Sequence, residues 1–386
     1  MPDWISREAA CDHLGIRPQT LYAYVSRGRI TVRADPADPR RSLYRLADIE
    51  GLAARRHRSR KPAAVAAGAI AWGEPVLESA ITTVDGGRLY YRGRDAAHLA
   101  EDQTLEAVAR LLRGGDGAAL KRADRGEPPP GHDMRSRAFA ALAARAGTDP
   151  PAIGRHPLAL AAEAATLLDV LCDAVAGVSA SGAIHERLAQ AWGCRADRQS
   201  ADLIRRALVL LADHELNPST FATRVTASTG ASLAACALAG LSALSGPRHG
   251  GAGAAMRRLA ADAEDRGPEA ALAERLAQDR ALPGFGHQLY PQGDPRAAAL
   301  LAVFSPSPGL QRLRTSVEAA TGQAANVDFA LVALSEHLGL PEDAPLALFA
   351  VGRCAGWIAH AIEQGQTGGL IRPRARYAGI RPWASA

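Results

Sequence analysis

The 386-residue chain predicts a mainly α-helical body of enzyme size preceded by a small basic module. Three observations carry this. Apolar residues recur at helical spacing through alanine-rich stretches, and alanine is the strongest helix former. Strand-like alternation is scarce beyond residue 115. Charge is uneven: residues 1–61 hold 13 Lys+Arg against 7 Asp+Glu, while the remainder is near neutral. With 47% hydrophobic and 22% charged residues, the composition is globular rather than disordered.

In the basic module, Ser6 is a good N-cap for a helix over Arg7–Leu14 that stops at Gly15. Pro18 suits the first turn of a second helix running to Gly28. Two short helices joined by a Gly-containing turn make a helix-turn-helix. Arg33–Tyr44 predicts a small wing, and Asp48–Arg56 a further helix. Glu8-Ala9-Ala10, Leu14-Gly15-Ile16, Thr20-Leu21-Tyr22 and Arg27-Gly28 resemble the winged helix-turn-helix of MerR-type regulators and excisionases. That resemblance implies DNA binding through residues 1–61, with Gln19, Tyr22, Tyr24, Ser26 and Arg27 on or beside the groove-reading helix. A packing module that no longer reads DNA is the alternative. The run Arg55–Pro62 reads as a solvated linker, and the boundary falls near Pro62.

In the body, Asp85-Gly86-Gly87 predicts a hairpin turn between short apolar runs. A helix starts at Ala96, and Thr104 caps the next, which ends at Gly114-Gly115. Helices are then predicted over 158–176, 201–215, 220–244, 253–265, 268–280, 310–320, 326–338 and 345–364. The apolar stretch 225–244 is interrupted by Thr226, Ser228, Thr229, Ser232 and Ser242, which predicts a buried helix rather than a membrane span. The opening MPDWISREAA lacks an apolar signal core, and the five cysteines form no C-x-x-C pair. Both features predict a cytoplasmic protein with no membrane attachment.

Three histidines stand in polar or glycine-rich surroundings: His214 in DHELNPSTFATR, His249 in SGPRHGGAG and His287 in PGFGHQLYPQGDPRA. Glycine allows backbone to approach a ligand closely. Asn326-Val327-Asp328-Phe329 places a carboxylate at a helix start. Arg296, Arg353 and Arg372 read as lacking an acidic partner beside them in sequence. Several such arginines near histidines suggest a small polycarboxylate ligand, because the guanidinium fork matches carboxylate bidentately. Unrelated surface arginines are the plainer alternative. No H-E-x-x-H zinc helix occurs, and no metal is expected. Gly284-x-Gly286 lacks the third glycine and the leading strand of a dinucleotide fingerprint, and neither a P-loop nor a G-x-S-x-G elbow is present.

The segments ITTVDG…YYRGRD, HELNPSTFATRVTAST, SGPRHGGA, PGFGH, DPRA, NVDF, GRCAGWIAHAIEQ and IRPRARY run in this order from about Ile81 to Tyr377. Together they resemble the citrate synthase family, with residues 116–195 only weakly similar. The resemblance implies a mainly α citrate synthase-like fold of large and small helical domains behind the helix-turn-helix. The large domain would comprise 62–252 plus 339–386 and the small one 253–338. It implies condensation of acetyl-CoA with oxaloacetate and hydrolysis of citryl-CoA, with acetyl-CoA as co-substrate and no permanently bound cofactor. By the resemblance, Asp328 removes the acetyl proton, His249 donates to the thioester oxygen, and His287 protonates the oxaloacetate carbonyl. His214, Arg296, Arg353 and Arg372 match oxaloacetate-binding positions, with Arg372 reaching across a homodimer interface. A 2-methylcitrate synthase using propionyl-CoA fits the same residues, and a citryl-CoA lyase fits less well. A DNA-binding regulator with a metabolite-sensing body is the alternative of a different class. Gln288 departs from the pattern: many relatives carry a basic residue there to help bind CoA, so the CoA contacts stay open.

Overall fold

The computed structural model describes residues 4–14, 16, 18–26, 30–35, 38–50, 77–115, 125–194, 198–278, 281–375 and 377–379. Two compact units are present: residues 1–78 with 374–386, and residues 79–373.

In the first unit a short strand β1 (Trp4–Ser6) leads into α1 (Arg7–Leu14) and α2 (Pro18–Ser26). Ser6 Oγ accepts the Ala9 N–H at 3.2 Å, as its capping chemistry predicts. Strands β2 (Val32–Asp35) and β3 (Asp38–Arg45) form an antiparallel hairpin where the wing is expected. With β1 they make a sheet in the order β1-β3-β2. Ala10, Leu14, Leu21, Ile30, Tyr44 and Ile49 form a separate small core. Tyr22 is exposed and Tyr24 partly buried. The side chains of Gln19 and Ser26, and all of Arg27, lie outside the described residues. Of the helix expected over 48–56, residues up to 50 are helical; the rest and the 55–62 linker also lie outside them.

The second unit opens with a small antiparallel sheet of β4 (Thr82–Asp85), β5 (Arg88–Tyr91) and β6 (Arg94–Asp95). Asp85 pairs with Arg88, so Gly86-Gly87 is a two-residue loop. Both glycines have positive φ, +56° and +77°, which this turn requires. The helices that follow are α3 (Ala96–Asp102), α4 (Leu105–Leu112), α5 (Met134–Thr148), α6 (Pro157–Ala176), α7 (Ile184–Ala191) and α8 (Arg198–Leu211). Beyond them come α9 (Pro218–Ser228), α10 (Leu233–Leu244), α11 (Ala252–Arg266), α12 (Pro268–Ala277), α13 (Pro295–Leu301), α14 (Pro308–Thr321), α15 (Val327–Leu338) and α16 (Ala344–Thr367). Side-chain N-caps are where the sequence offers them: Thr104 before α4, Asn217 before α9, Asp294 before α13 and Asn326 before α15.

Three expectations need correction. The single helix over 220–244 is two, α9 and α10. The break falls at Gly230, whose φ of +82° ends a helix, and Ser232 caps the restart. The helix over 201–215 stops at Leu211, because Asp213 and His214 turn into the site described below. Helices α5, α7 and α13 were not predicted. Polar and charged residues dilute their apolar pattern, and α13 has only seven residues.

Helix α16 is the axis of this unit and packs against α4, α6, α8, α9, α10 and α15. It is long and apolar enough to cross a membrane by length and composition, yet nearly all of it is buried in the protein core. Its approach to α8 is permitted by two glycines, Gly352 and Gly356. The Gly356 N–H donates to the Ala212 carbonyl at 2.9 Å. A Cβ on Gly356 would overlap Asp213 Oδ1 and come within 2.5 Å of the Ala212 carbonyl oxygen. Gly356→Ala is therefore expected to destabilise the fold by about 1–3 kcal/mol in denaturant titrations, the usual cost of overpacking. Gly147→Ala, exposed on α5 with open space around it, is the control and should gain up to about 1 kcal/mol.

Candidate active site

The loop PGFGHQLYPQGDPRA is laced to the segment that starts α15. The Gly286 N–H donates to the Ala324 carbonyl at 2.8 Å, and the Asn326 N–H to the Gly284 carbonyl at 2.8 Å. The Asn326 side-chain amide reaches the Gly286 carbonyl at 3.0 Å. Gly284 and Gly286 both have positive φ, which gives the bend its tightness. Two segments that carry His287 and Asp328 thus become one unit.

Asp294 completes it. Its carboxylate caps α13 through the Arg296 N–H and accepts the Val327 N–H at 3.0 Å. It also receives Arg296 Nε at 2.9 Å and Nη2 at 2.8 Å, a bidentate pair in which both residues are buried. This corrects the reading of Arg296 as lacking an acidic neighbour: its partner sits two residues upstream, across the proline that starts the helix. Burial alone raises the Asp294 carboxyl, but Arg296 more than offsets this and holds it below its ordinary range.

Arg353 on α16 is different. It is 1% exposed, and its Nε donates to the Leu211 carbonyl at 2.9 Å. Its guanidinium lies 4.9 Å over the Phe349 ring. Nη2 has no hydrogen-bond partner among the described residues. Burial lowers its pKa to about 10, with Asp213 opposing and Arg296 adding to the shift.

The histidines converge on these arginines. His214 is buried in the turn after α8, its Nε2 2.9 Å from Tyr290 Oη and its ring 5.2 Å from that of His287. Burial, then Arg296 and Arg353, hold it well below its ordinary pKa. His287 accepts the Leu289 N–H on Nδ1 at 3.2 Å, which leaves its ring proton on Nε2. Burial and then Arg296 lower it to about 4. His249 touches Ser219 Oγ through Nε2 at 3.0 Å and is likewise lowered to about 4 by burial and Arg353. All three are therefore neutral at pH 7. Asp328, partly buried in the first turn of α15, moves the other way. Burial pushes it up to about 6, Arg296 and Arg353 oppose, and Asp294 adds. Arg372 is exposed in the segment after α16 and takes no part in these contacts.

Several residues of this site had no role from sequence. Trp357 Nε1 donates to Ser219 Oγ at 3.1 Å, behind His249. His360 lies seven residues beyond Arg353, on the same face of α16. Arg224 Nη1 donates to its Nδ1 at 2.9 Å, so its Nε2–H faces Asp213 at 3.2 Å. Burial raises the Asp213 carboxyl, but His360, Arg353 and Thr82 more than offset this and hold it ionised. Glu215 adopts φ +50° and accepts the Val84 N–H at 2.7 Å, tying the His214 turn to β4. The i, i+7 spacing on α16 was the available signal for His360; the others depend on tertiary packing. Among the described residues, no three His, Cys, Asp or Glu side chains meet as a metal site.

Residues 122–374 match the family model for the citrate synthase C-terminal domain. The chain belongs to the citrate synthase family. It is therefore a condensing acyltransferase by family. The match runs through most of the stretch in which sequence motifs are weak. A citrate synthase of Haloferax volcanii is 38% identical over 191 residues, which are 46% of this chain and 50% of that protein. The 2-methylcitrate synthase of Shewanella oneidensis is 29% identical over 366 residues, covering 80% of this chain and 94% of that protein. The crystal structure of citrate synthase from Thermotoga maritima aligns with a TM-score of 0.67 at 30% identity, covering 80% of this chain and 94% of that one.

In this citrate synthase-family site, the Asp294–Arg296 pair anchors two helix starts. Asp294→Ala would leave a buried guanidinium uncompensated and should cost about 3–5 kcal/mol. Equilibrium denaturation checks this, and a loss below about 1 kcal/mol would contradict the anchoring role.

Proposed function

We propose that the protein condenses an acyl-CoA with oxaloacetate and hydrolyses the resulting thioester, releasing CoA. The observation that carries this is the buried Arg353 with an unpartnered Nη2, held beside Arg296, three neutral histidines and a carboxylate of raised pKa. A dianionic keto acid supplies the acceptor that Arg353 awaits, since a buried cation needs a paired acceptor. His214, Arg296 and Arg353 bind its carboxylates.

Asp328 takes the acyl α-proton, and its raised pKa makes it a stronger base than an exposed aspartate. His249 serves the thioester oxygen as a neutral donor; the Ser219 hydroxyl donates to Asn217 Oδ1 at 2.6 Å, so without substrate the His249 ring hydrogen lies on Nε2, against Ser219 Oγ. Charge then builds on an oxygen that meets a donor rather than water. The new enolic carbon attacks the keto carbon, whose oxygen receives a proton from His287 Nε2–H. Water then cleaves the thioester, giving the tricarboxylate and CoA. Acetyl-CoA and propionyl-CoA fit this scheme equally, since one methylene changes pocket discrimination little. Similarity to citrate synthases and to a 2-methylcitrate synthase supports both. The raised Asp328 favours turnover over metabolite sensing alone, because a sensor needs the arginines but not the base.

In this reading residues 253–338 form a small domain that closes on the rest, and Gln288, which is exposed, leaves the CoA side without the usual basic residue. A second copy of the chain would bring Arg372 to its partner's site. The exposed Ile153 and Leu370, near the groove lined by Gly230, Leu233 and Ala361, suit such an interface. The N-terminal unit, with its paired short helices and hairpin, is proposed to bind DNA. Deleting residues 1–61 should abolish salt-dependent binding to duplex DNA, and binding that survives the deletion refutes this.

Purified protein with oxaloacetate and either acyl-CoA should release free thiol. Asp328→Asn should cut kcat by about 10²–10⁴-fold. The base works ionised, so kcat/KM should fall as pH drops through about 6, the Asp328 value. Absence of thiol release with both substrates sinks the condensation reading.

A further inference from the structure

Tyr290 has no role in the chemistry above, yet it lies among three of the groups assigned to it. It is buried, and its Oη lies 2.9 Å from His214 Nε2. Its ring stands 4.9 Å from the His287 ring, and the Arg296 guanidinium lies 5.7 Å from its centroid. Its backbone N–H closes the turn onto the His287 carbonyl at 3.0 Å, so the phenol is carried by the same loop as His287 and Arg296.

One proton sits between Oη and Nε2, and the chemistry of the two groups decides its place. Phenol is the better donor and neutral imidazole nitrogen the better acceptor, so the strong form is O–H···N. Burial raises the Tyr290 pKa further, which keeps the phenol protonated, while His214 is held neutral. A neutral imidazole that accepts on Nε2 carries its hydrogen on Nδ1.

We propose that Tyr290 is a positioning residue that fixes His214 as the Nδ1–H tautomer, so that the ring offers a hydrogen-bond donor, not a lone pair, to the anionic substrate. A lone pair there would repel a carboxylate or keto oxygen; a donor attracts it. Because Tyr290 rides on the loop of His287 and Arg296, the tautomer is set only when that loop is docked against the turn after α8. Loop docking and substrate recognition are thereby coupled through one hydrogen bond. The substrate half of this inference rests on the condensation reading; the tautomer half does not.

The test is long-range ¹H–¹⁵N correlation of ¹⁵N-histidine-labelled full-length protein without substrate, with the His214 ring identified by its loss in His214→Gln. The inference expects Nδ1 at a pyrrole-type shift and Nε2 at a pyridine-type shift. The reverse pattern in the wild type overturns it, whatever the variants do. Tyr290→Phe should move the His214 shifts toward a tautomer mixture. It should also raise the oxaloacetate KM about tenfold, the worth of one hydrogen bond, with kcat and the acyl-CoA KM changed by no more than about threefold. An unmoved His214 spectrum in that variant also overturns the inference. A wild type with the expected tautomer but no CoA release would instead count against the condensation reading alone.

Discussion

Two guanidinium groups buried within electrostatic reach of each other must each find compensation, and the protein treats them differently. Arg296 is given a resident carboxylate, Asp294, in a bidentate pair. Arg353 is given a carbonyl, an aromatic face and a neighbouring anion, Asp213, which is held by His360 two turns along α16. The first arrangement is closed. The second leaves a buried N–H without a partner among the described residues, a state that costs free energy until an acceptor arrives. The proposed affinity for an anion rests on that asymmetry.

The same two charges set the protonation of everything near them. Both oppose proton uptake by His214, and Arg296 opposes it at His287, adding to what burial already does. They also keep Asp328 from rising further than about 6, so it stays largely ionised at neutral pH while being more basic than a surface aspartate. Neutral histidines beside an ionised aspartate are the combination that proposed enolisation needs: donors that lose nothing by remaining uncharged, and one base. Packing serves this electrostatics. Gly356 lets α16 settle on the end of α8, and the Gly284/Gly286 bend lets the histidine loop be sewn to the start of α15.

How legible was this in the sequence? Elements with local signals were readable: the Gly86-Gly87 hairpin, the Thr104 cap, the Asn326 cap, the long apolar pattern of α16. The mistakes came where a short-range signal was overridden or absent. Gly230 broke a stretch whose apolar content argued for continuity. Arg296 was read as lacking an acidic neighbour, and the role of Asp294 as its counter-ion was missed because helix-start geometry folds the guanidinium back by two residues. Of the seven site residues named from sequence, six gather around one buried set of charges: His214, His249, His287, Arg296, Asp328 and Arg353. Arg372 stays on the exposed tail. The residues that orient them, Ser219, Trp357, His360, Asp213 and Tyr290, lie far apart in the chain or next to louder neighbours, and only packing unites them.

The central claim is that Arg353 is a buried cation waiting for the carboxylate of a keto diacid. Isothermal titration of oxaloacetate into the wild-type protein and into Arg353→Gln tests it without requiring turnover. The account predicts binding to the wild type and at least about 100-fold weaker binding to the variant, the loss of a charge-assisted hydrogen bond to a buried partner. Equal affinity in the two proteins would contradict it.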